Sequence, residues 1–149
     1  MLAGKINGRA IAILKPKVLF ICLGNSCRSI MAEALTRHEC GDRWTAASAG
    51  INPLGFVAPE TLEVLSEIGV STAGLRSKGL EEFDLAEYRL IINLSGHSLK
   101  GFPLETHNRL IHCPTLDPYG CGLEVYRRSR DALQQMIVRE LCRADRPGG

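Results

Sequence analysis

KVLFICLGNSCRS, residues 17–29, places an apolar run, a tight polar loop and the start of a helical pattern in direct succession. Residues 18–21 are continuously apolar with β-branched members, which is typical of a strand buried on both faces of a parallel sheet. Apolar side chains at helical spacing follow in residues 30–35, with Ser29 as the predicted N-cap and Glu33 in the predicted first turn. The stretch therefore predicts a strand, a loop and a helix N-terminus.

Such a junction is suited to binding an oxyanion. Successive loop amides can curl around the anion, and the helix dipole adds partial positive charge. Cys22 lies at the base of this loop, where the amides and Arg28 favour the thiolate, so we expect it to act as a nucleophile. The planar fork of Arg28 can hold two oxygens of a phosphoryl group in line with the sulfur.

The bare spacing of a cysteine and an arginine six residues later also occurs at Cys121 and Arg127. No apolar strand precedes Cys121, and Arg128 rather than a capping serine or threonine directly follows Arg127. The intervening residues are instead typical of a helix start. Context therefore favours Cys22 as the nucleophile and Cys121 as an ordinary thiol.

Strand and helix patterns alternate along the rest of the chain. Further strands are predicted at residues 44–49, 89–94 and 109–113, and further helices at residues 59–68 and 124–143. This order indicates an α/β fold, a single three-layer domain with a four-stranded parallel sheet and helices on both faces. We expect a flexible N-terminal extension at residues 1–16, a catalytic domain at residues 17–143 and a polar tail at residues 144–149.

Composition limits the classes of partner. A formal net charge of +2 favours neither nucleic acid nor a membrane surface, and residues 1–16 resemble neither a signal peptide nor a membrane span. We therefore expect a cytoplasmic protein whose six cysteines are reduced thiols. The spacing of His107, His112, Cys113 and Cys121 matches no paired-ligand pattern for zinc, so neither a metal nor a cofactor is expected.

The segment CLGNSCRS followed by IMAEAL resembles the low-molecular-weight protein tyrosine phosphatase family, whose fold is shared by the thioredoxin-coupled arsenate reductases. The resemblance continues through Ser48-Ala49-Gly50 and Asp117-Pro118-Tyr119-Gly120 and covers residues 16–143. It implies a phosphomonoester hydrolase, most simply a protein-tyrosine phosphatase, acting on a phosphorylated protein or a small aryl phosphate. The resemblance also assigns the loop residues that contact phosphate or hold the loop in shape: Leu23, Gly24, Asn25, Ser26, Cys27 and Ser29.

Asp117 is the candidate general acid. The loop after the fourth predicted strand reaches the same sheet edge as Cys22, and expulsion of an alkoxide or phenolate from phosphorus requires a proton there. Pro118 restricts Asp117 to an extended conformation. Tyr119 resembles the aromatic residue that forms a wall of the substrate cleft in the phosphatases. Asp117 in its carboxylate form would then activate the water that hydrolyses the cysteinyl-phosphate.

Two other activities stay open. Arsenate would fit the same loop, and Ser26 with Met31-Ala32-Glu33 resembles the arsenate reductase version of the motif. In the thioredoxin-coupled reductases the next thiol lies just after the third strand, whereas here no cysteine lies between the third predicted strand and Cys113, so a reductase would need an unusual relay through Cys113 and Cys121. Phosphoarginine-specific members prefer threonine where Ser26 stands, which leaves arginine phosphatase as a third activity.

Two departures from the phosphatase pattern bear on the loop, and one cysteine suggests regulation. Ile30 replaces a usual proline, and Leu75 stands where many members have a histidine bonded to the loop. Cys27 lies five residues after Cys22, and phosphatases with this second cysteine can close a protective disulfide when oxidised. Reversible redox inactivation is therefore a hypothesis.

Overall fold

The computed structural model describes the backbone of residues 3–6 and 9–12 and the whole of residues 15–143. Strands β1 (Ala3–Ile6) and β2 (Arg9–Ala12) form a two-stranded antiparallel sheet of their own. Neither strand was predicted; both lie in the segment, residues 1–16, for which we expected a flexible extension. The predicted tail at residues 144–149 lies outside the described residues.

The main sheet has four parallel strands, as the sequence predicted. They are β3 (Lys17–Cys22), β4 (Thr45–Gly50), β5 (Leu90–Asn93) and β6 (Arg109–His112), in the spatial order β4-β3-β5-β6. Because β4 lies on one side of β3 and β5 on the other, the strand order reverses at β3. A crevice at the carboxyl end of such a strand is where open α/β sheets bind their ligands.

Three α-helices cover one face of this sheet. They are α1 (Arg28–Cys40), α2 (Pro59–Glu67) and α3 (Leu123–Glu140). Val18 and Phe20 of β3 pack toward them, and Leu19 and Ile21 pack toward the opposite face, so the apolar run is buried on both sides. That opposite layer consists of two short 3-10 helices, Leu80–Glu82 and Leu85–Glu87, and of irregular chain rather than α-helices.

The first turn of α1 differs from the prediction. The helix begins at Arg28, and Cys27 occupies the N-cap position without a side-chain cap. Ser29 is therefore inside the helix rather than capping it, and Glu33 lies beyond the first turn. The hydroxyl of Ser29 bonds to the loop instead, as described below.

The expectation of six reduced thiols is wrong for one pair. Cys40, at the end of α1, forms a disulfide with Cys142, which follows α3. The indole Nε1 of Trp44 donates to the carbonyl of Leu141 at 3.1 Å, beside the disulfide. The ends of two helices far apart in sequence are thus joined covalently, and sequence spacing alone gave no indication of this pairing.

Among the described residues, no helix is both long enough and apolar enough to cross a membrane.

Candidate active site

The loop between β3 and α1 turns its amide groups inward. The carbonyls of Cys22, Leu23 and Gly24 accept hydrogen bonds from backbone N–H groups of residues 51–54 at 2.8–3.0 Å. Because the C=O and the following N–H of a planar trans peptide point in opposite directions, the amides that follow these carbonyls face the inside of the loop. Together with the N-terminus of α1, they face the space where the sequence predicts an oxyanion site.

Asn25 gives the loop its shape. It has φ of 45° and is fully buried, and it is the single non-glycine residue with positive φ in the described chain. Its Oδ1 accepts from the backbone N–H of Lys78 at 2.8 Å, and its Nδ2 donates to the Oγ of Ser29 at 2.7 Å. Asparagine tolerates the left-handed conformation better than other residues with a side chain. These bonds therefore hold a turn that most side chains would resist.

Ser29 connects Asn25 to the predicted nucleophile. Its Oγ lies 2.8 Å from the Sγ of Cys22 and is completely buried. Because Asn25 donates to this oxygen, the hydroxyl proton is free to point at the sulfur, and Ser29 donates to a Cys22 thiolate.

The structure brings most of the predicted site residues into one cavity of about 120 Å³. Its lining consists of Cys22, Leu23, Gly24, Ser26, Cys27, Arg28, Asn52, Leu54, Asp117 and Tyr119. Asn25 and Ser29 are bonded behind this cavity. Eight of the residues singled out in the sequence thus line one space, and the remaining two support the loop around it.

Arg28 is held by backbone carbonyls in the two segments that follow β5 and β6. Its Nη1 donates to the carbonyl of Leu94, just after β5, at 3.0 Å and to the carbonyl of Thr115, after β6, at 3.2 Å. Its Nη2 lies 3.5 Å from Oδ2 of Asp117. The guanidinium is buried, so its orientation is fixed by these contacts rather than by solvent.

Asp117 lies at the mouth of the cavity in a local turn. Its Oδ1 accepts from the backbone N–H of Tyr119 at 3.1 Å, and about half of its side chain is exposed. The other oxygen faces Arg28. The carboxyl group is therefore oriented by its own turn while staying accessible to a leaving group and to water.

An apolar rim lies along part of the cavity: Leu23, Leu54 and Tyr119 line it, and Phe56 lies beside Tyr119. The side chains of Leu23, Leu54, Phe56 and Tyr119 are all exposed, although each is large and hydrophobic. The rings of Phe56 and Tyr119 lie 6.4 Å apart at an angle of 54°. Exposed apolar side chains clustered around a cavity indicate a surface that contacts an organic group.

Cys27 is the second sulfur in the cavity. Burial raises the pKa of its thiol, and its Sγ donates to the hydroxyl of Tyr126 at 3.4 Å. Burial also raises the pKa of Tyr126, so both groups keep their protons at neutral pH. Of the other free cysteines, Cys113 is half-buried against the core and Cys121 is exposed, and neither is among the residues that line the cavity.

Several residues that support the loop were not found from the sequence. Ser77 Oγ donates to the carbonyl of Gly24 at 3.2 Å, and the amide of Gly50 donates to the carbonyl of Lys78 at 2.8 Å. Gly50 lies so close to the loop that a Cβ there would be 2.9 Å from the carbonyl oxygen of Leu23. Residues 77–78 thus contact the loop. In this region the sequence analysis noted only that Leu75 stands where many family members have a histidine bonded to the loop.

Two buried hydroxyl oxygens near Arg28 have no hydrogen-bond partner among the described residues. They are Ser26 Oγ, which belongs to a cavity-lining residue, and Thr115 Oγ1. Buried polar groups are normally bonded, so the Ser26 hydroxyl is a candidate contact for a bound ligand.

A larger cavity, of about 580 Å³, lies at the opposite end of the sheet. Lys15, Arg37 and Asp42 are among its lining residues, but Lys15 bonds to a helix-end carbonyl and Arg37 pairs with Glu33. It contains none of the predicted nucleophiles. We therefore assign the chemistry to the smaller cavity. Within the described chain, no group of three or more histidine, cysteine or acidic residues is arranged to hold a metal ion.

Comparison with known proteins agrees with this geometry. The family model for low molecular weight phosphotyrosine protein phosphatase matches residues 17–144. Arsenate reductase 1 of Bacillus cereus (strain ATCC 10987 / NRS 248) is 33% identical over 124 residues, which cover 83% of this chain and 92% of the relative.

Two solved structures share the fold. The low molecular weight protein tyrosine phosphatase from T. tengcongensis has 31% identity and a TM-score of 0.72, with 83% of this chain and 95% of that chain covered. The arginine phosphatase YwlE from Geobacillus stearothermophilus has 29% identity and a TM-score of 0.74, with 83% and 89% covered. The relatives thus carry three different activities on one fold.

Proposed function

Because the chain belongs to the low molecular weight phosphotyrosine protein phosphatase family, we propose that it hydrolyses phosphate monoesters on tyrosine side chains of proteins, through a cysteinyl-phosphate on Cys22. One observation carries the proposal: a half-exposed carboxyl group, Asp117, lies at the same cavity as Cys22 and 3.5 Å from Arg28. A nucleophile, an oxyanion holder and an acid are the three groups that this reaction needs.

In the first step, the Cys22 thiolate attacks phosphorus and the bond between phosphorus and the ester oxygen breaks. The inward loop amides and Arg28 hold the non-bridging oxygens and stabilise their charge in the transition state. Asp117, protonated at the start of this step, gives its proton to the leaving oxygen, so a neutral phenol departs.

In the second step, the Asp117 carboxylate takes a proton from water, and the resulting hydroxide attacks phosphorus. The sulfur–phosphorus bond breaks, and Cys22 leaves as a thiolate, stabilised by the hydroxyl of Ser29 at 2.8 Å. Inorganic phosphate is released, and Asp117 is again protonated for the next cycle.

The rim of the cavity supports an ester of an organic group. Leu54, Phe56 and Tyr119 offer apolar contact to an aromatic ring bonded to the phosphate, and a bare inorganic oxyanion would make no use of them.

Arsenate reduction is the second candidate, favoured by the names of relatives such as the Bacillus cereus protein. It requires a second thiol that attacks the sulfur of a Cys22–arsenate adduct. The two sulfurs are then oxidised to a disulfide, and their two electrons reduce As(V) to As(III), which leaves as arsenite. No cysteine occurs in the sequence between Cys40 and Cys113, and Cys27 is a poor attacking group because burial raises the pKa of its thiol. A reductase would have to recruit Cys113 or Cys121 by a movement of the Asp117 loop.

Arginine phosphatase is the third candidate, and the unpartnered hydroxyl of Ser26 favours it. A guanidinium has N–H donors that this oxygen could accept, whereas a phenolic ester offers none.

The test is steady-state hydrolysis of an aryl phosphate near pH 6 by the full chain, with Cys22→Ser, Asp117→Asn and the exposed control Asp42→Asn. We expect a turnover of about 1 s⁻¹ or more, abolished in Cys22→Ser and reduced at least about tenfold in Asp117→Asn. Asp42→Asn should behave as wild type. Barely detectable turnover that Asp117→Asn leaves unchanged would overturn the assignment of the acid.

Substrate identity needs a parallel comparison. Tyrosine-phosphorylated and arginine-phosphorylated peptides of the same sequence are assayed for phosphate release, and arsenate is assayed for arsenite formation with a thioredoxin system. The proposal requires the tyrosine peptide to have the highest kcat/KM. Preference for the arginine peptide, or arsenite formation that exceeds ester hydrolysis, would replace it with the corresponding alternative.

A further inference from the structure

Lys78 is a buried cation behind the loop that holds Cys22. The residue is only 7% exposed, and burial lowers the pKa of its ammonium group. Buried lysines are rare unless they are paired. Here the partner is Glu33 of α1, which is 2% exposed and has an oxygen 3.6 Å from Lys78 Nζ.

The backbone around Lys78 is anchored independently of its side chain. Its N–H donates to Asn25 Oδ1 at 2.8 Å, and its carbonyl accepts from Gly50 at 2.8 Å, in an isolated bridge beside β4. A change of side chain would therefore leave the path of the chain in place.

The ammonium group itself contacts three oxygens. Nζ donates to the carbonyl of Arg76 at 2.6 Å, to Ser48 Oγ at 3.3 Å and to Asn25 Oδ1 at 3.4 Å. Ser48 in turn donates to Glu33 at 2.6 Å, so the serine hydroxyl is fully used between the two charges. Asn25 Oδ1 therefore accepts two hydrogen bonds from Lys78, one from its backbone N–H and one from its side chain.

These contacts lead to the nucleophile through a continuous chain of hydrogen bonds. A positive charge at Asn25 Oδ1 polarises the carboxamide and makes its Nδ2 a stronger donor to Ser29. Ser29 accepts from Asn25 and lies 2.8 Å from Cys22 Sγ, so its own proton is the one available to a Cys22 thiolate. Each bond orients the next, and every member of the chain is buried.

We propose that Lys78 is a positioning residue for Cys22: its side chain, balanced by Glu33, holds Asn25 so that Ser29 donates to the thiolate. The proposal rests on the nucleophilic role of Cys22 within the proposed function, but its test requires no turnover.

Other charged or titratable groups face the two ends of this chain and are constant across the variants below. Those around Lys78 are Glu33, Arg37 and Arg76, and those around Cys22 are Cys27, Arg28 and Asp117.

The experiment measures the rate of Cys22 alkylation by iodoacetamide from pH 4 to 9, read from the Cys22 peptide by mass spectrometry in the full-length protein. The variant is Lys78→Met, which keeps the length of the side chain and removes the charge. Glu33 retains its ion pair with Arg37 and its bond from Ser48, so we expect this variant to fold. The matched control is Lys17→Met, which removes a lysine paired with Glu87 at the opposite end of β3.

In Lys78→Met, the pH of half-maximal alkylation should rise by about 0.5 to 1 unit, and the rate at pH 6 should fall about three- to tenfold. Lys17→Met should match wild type. Circular dichroism and thermal melts establish that each variant is folded. If Lys78→Met does not fold, Lys78→Gln, which keeps a donor without the charge, is measured with the same expected direction.

A folded Lys78 variant whose alkylation profile coincides with that of wild type would overturn the proposal. Failure of this proposal can be distinguished from failure of the proposed function, because the alkylation rate reports on the Cys22 sulfur even if the protein hydrolyses no phosphate ester. If the protein hydrolyses phosphate esters, Lys78→Met should lower kcat. KM should change by less than about threefold, because Lys78 does not line the cavity.

Discussion

Ser29→Ala removes the one hydroxyl that bridges Asn25 and Cys22. The oxygen is fully buried and makes two short contacts, 2.7 Å to Asn25 Nδ2 and 2.8 Å to Cys22 Sγ. A hydrogen bond to a charged group contributes about 1.5–3 kcal/mol. At 1.36 kcal/mol for each tenfold change in rate, loss of this bond from the thiolate lowers kcat/KM by about 10- to 150-fold.

The same substitution also affects stability. Asn25 is completely buried, and its Nδ2 loses its acceptor, which costs about 1–3 kcal/mol in the free energy of unfolding. Hydrolysis of an aryl phosphate measures the first effect, and urea denaturation measures the second.

The matched control is Thr36→Val. Thr36 is also buried in α1, and its hydroxyl bonds to the carbonyl of Ala32 at 2.8 Å, away from the loop. It should lose little activity. A folded Ser29→Ala protein with kcat/KM within about twofold of wild type would refute the reasoning, because it would mean that Ser29 does not donate to the thiolate.

Three further predictions concern other parts of the molecule. Cys142→Ser opens a loop with a sequence separation of 102 and should lower the free energy of unfolding by about 4–5 kcal/mol in urea without reductant. Gly50→Ala puts a Cβ 2.9 Å from the Leu23 carbonyl, so inorganic phosphate should protect Cys22 from iodoacetamide at least about tenfold less well. Arg127 lowers the pKa of Glu67 below its ordinary value of 4.5, so the Glu67 carboxylate stabilises the fold above that pH and loses its effect as the pH falls further. The difference in urea stability between wild type and Glu67→Gln should therefore be constant near pH 6–7 and disappear in acid.

Each of these predictions has a result that would contradict it. Equal stability of Cys142→Ser and wild type in the absence of reductant would argue against the disulfide, and a dithiothreitol-treated wild type serves as its control. Undiminished protection by phosphate in a folded Gly50→Ala protein would mean that the loop adapts to the extra carbon. A Glu67→Gln difference that is independent of pH would assign its effect to packing.

Local patterns were sufficient for the main sheet and for the loop. Strands β3 and β5 follow from short, almost continuously apolar runs, which are typical of strands buried on both faces of a parallel sheet. Strands β4 and β6 carry polar residues and were predicted from shorter apolar segments between turn and helix patterns. The second layer was less predictable. Two short 3-10 helices cover Leu19 and Ile21, and such turns have no periodic signature long enough to identify.

Among the site residues, predictability followed distance along the chain. Cys22 and Arg28 are six residues apart and share one local junction, so spacing was informative. Asp117 was reached because parallel strands end at the same edge of a sheet and because the resemblance covered it. The structure places a carboxylate oxygen of Asp117 3.5 Å from Arg28. The role of Asp117 as general acid stays a prediction.

The sequence by itself was sufficient to predict the parallel sheet and the loop between β3 and α1, because both depend on patterns of residues close together in the chain. The role of Cys22 as nucleophile and the oxyanion that the loop would bind follow from the same stretch and stay predictions. Tertiary structure alone decided what supports the loop. Lys78 reaches Asn25 across 53 positions, and Cys40 meets Cys142 across 102. Neither pairing has a periodicity or spacing in the sequence, because it arises only when packing of the sheet and helices brings distant segments within hydrogen-bond or covalent reach.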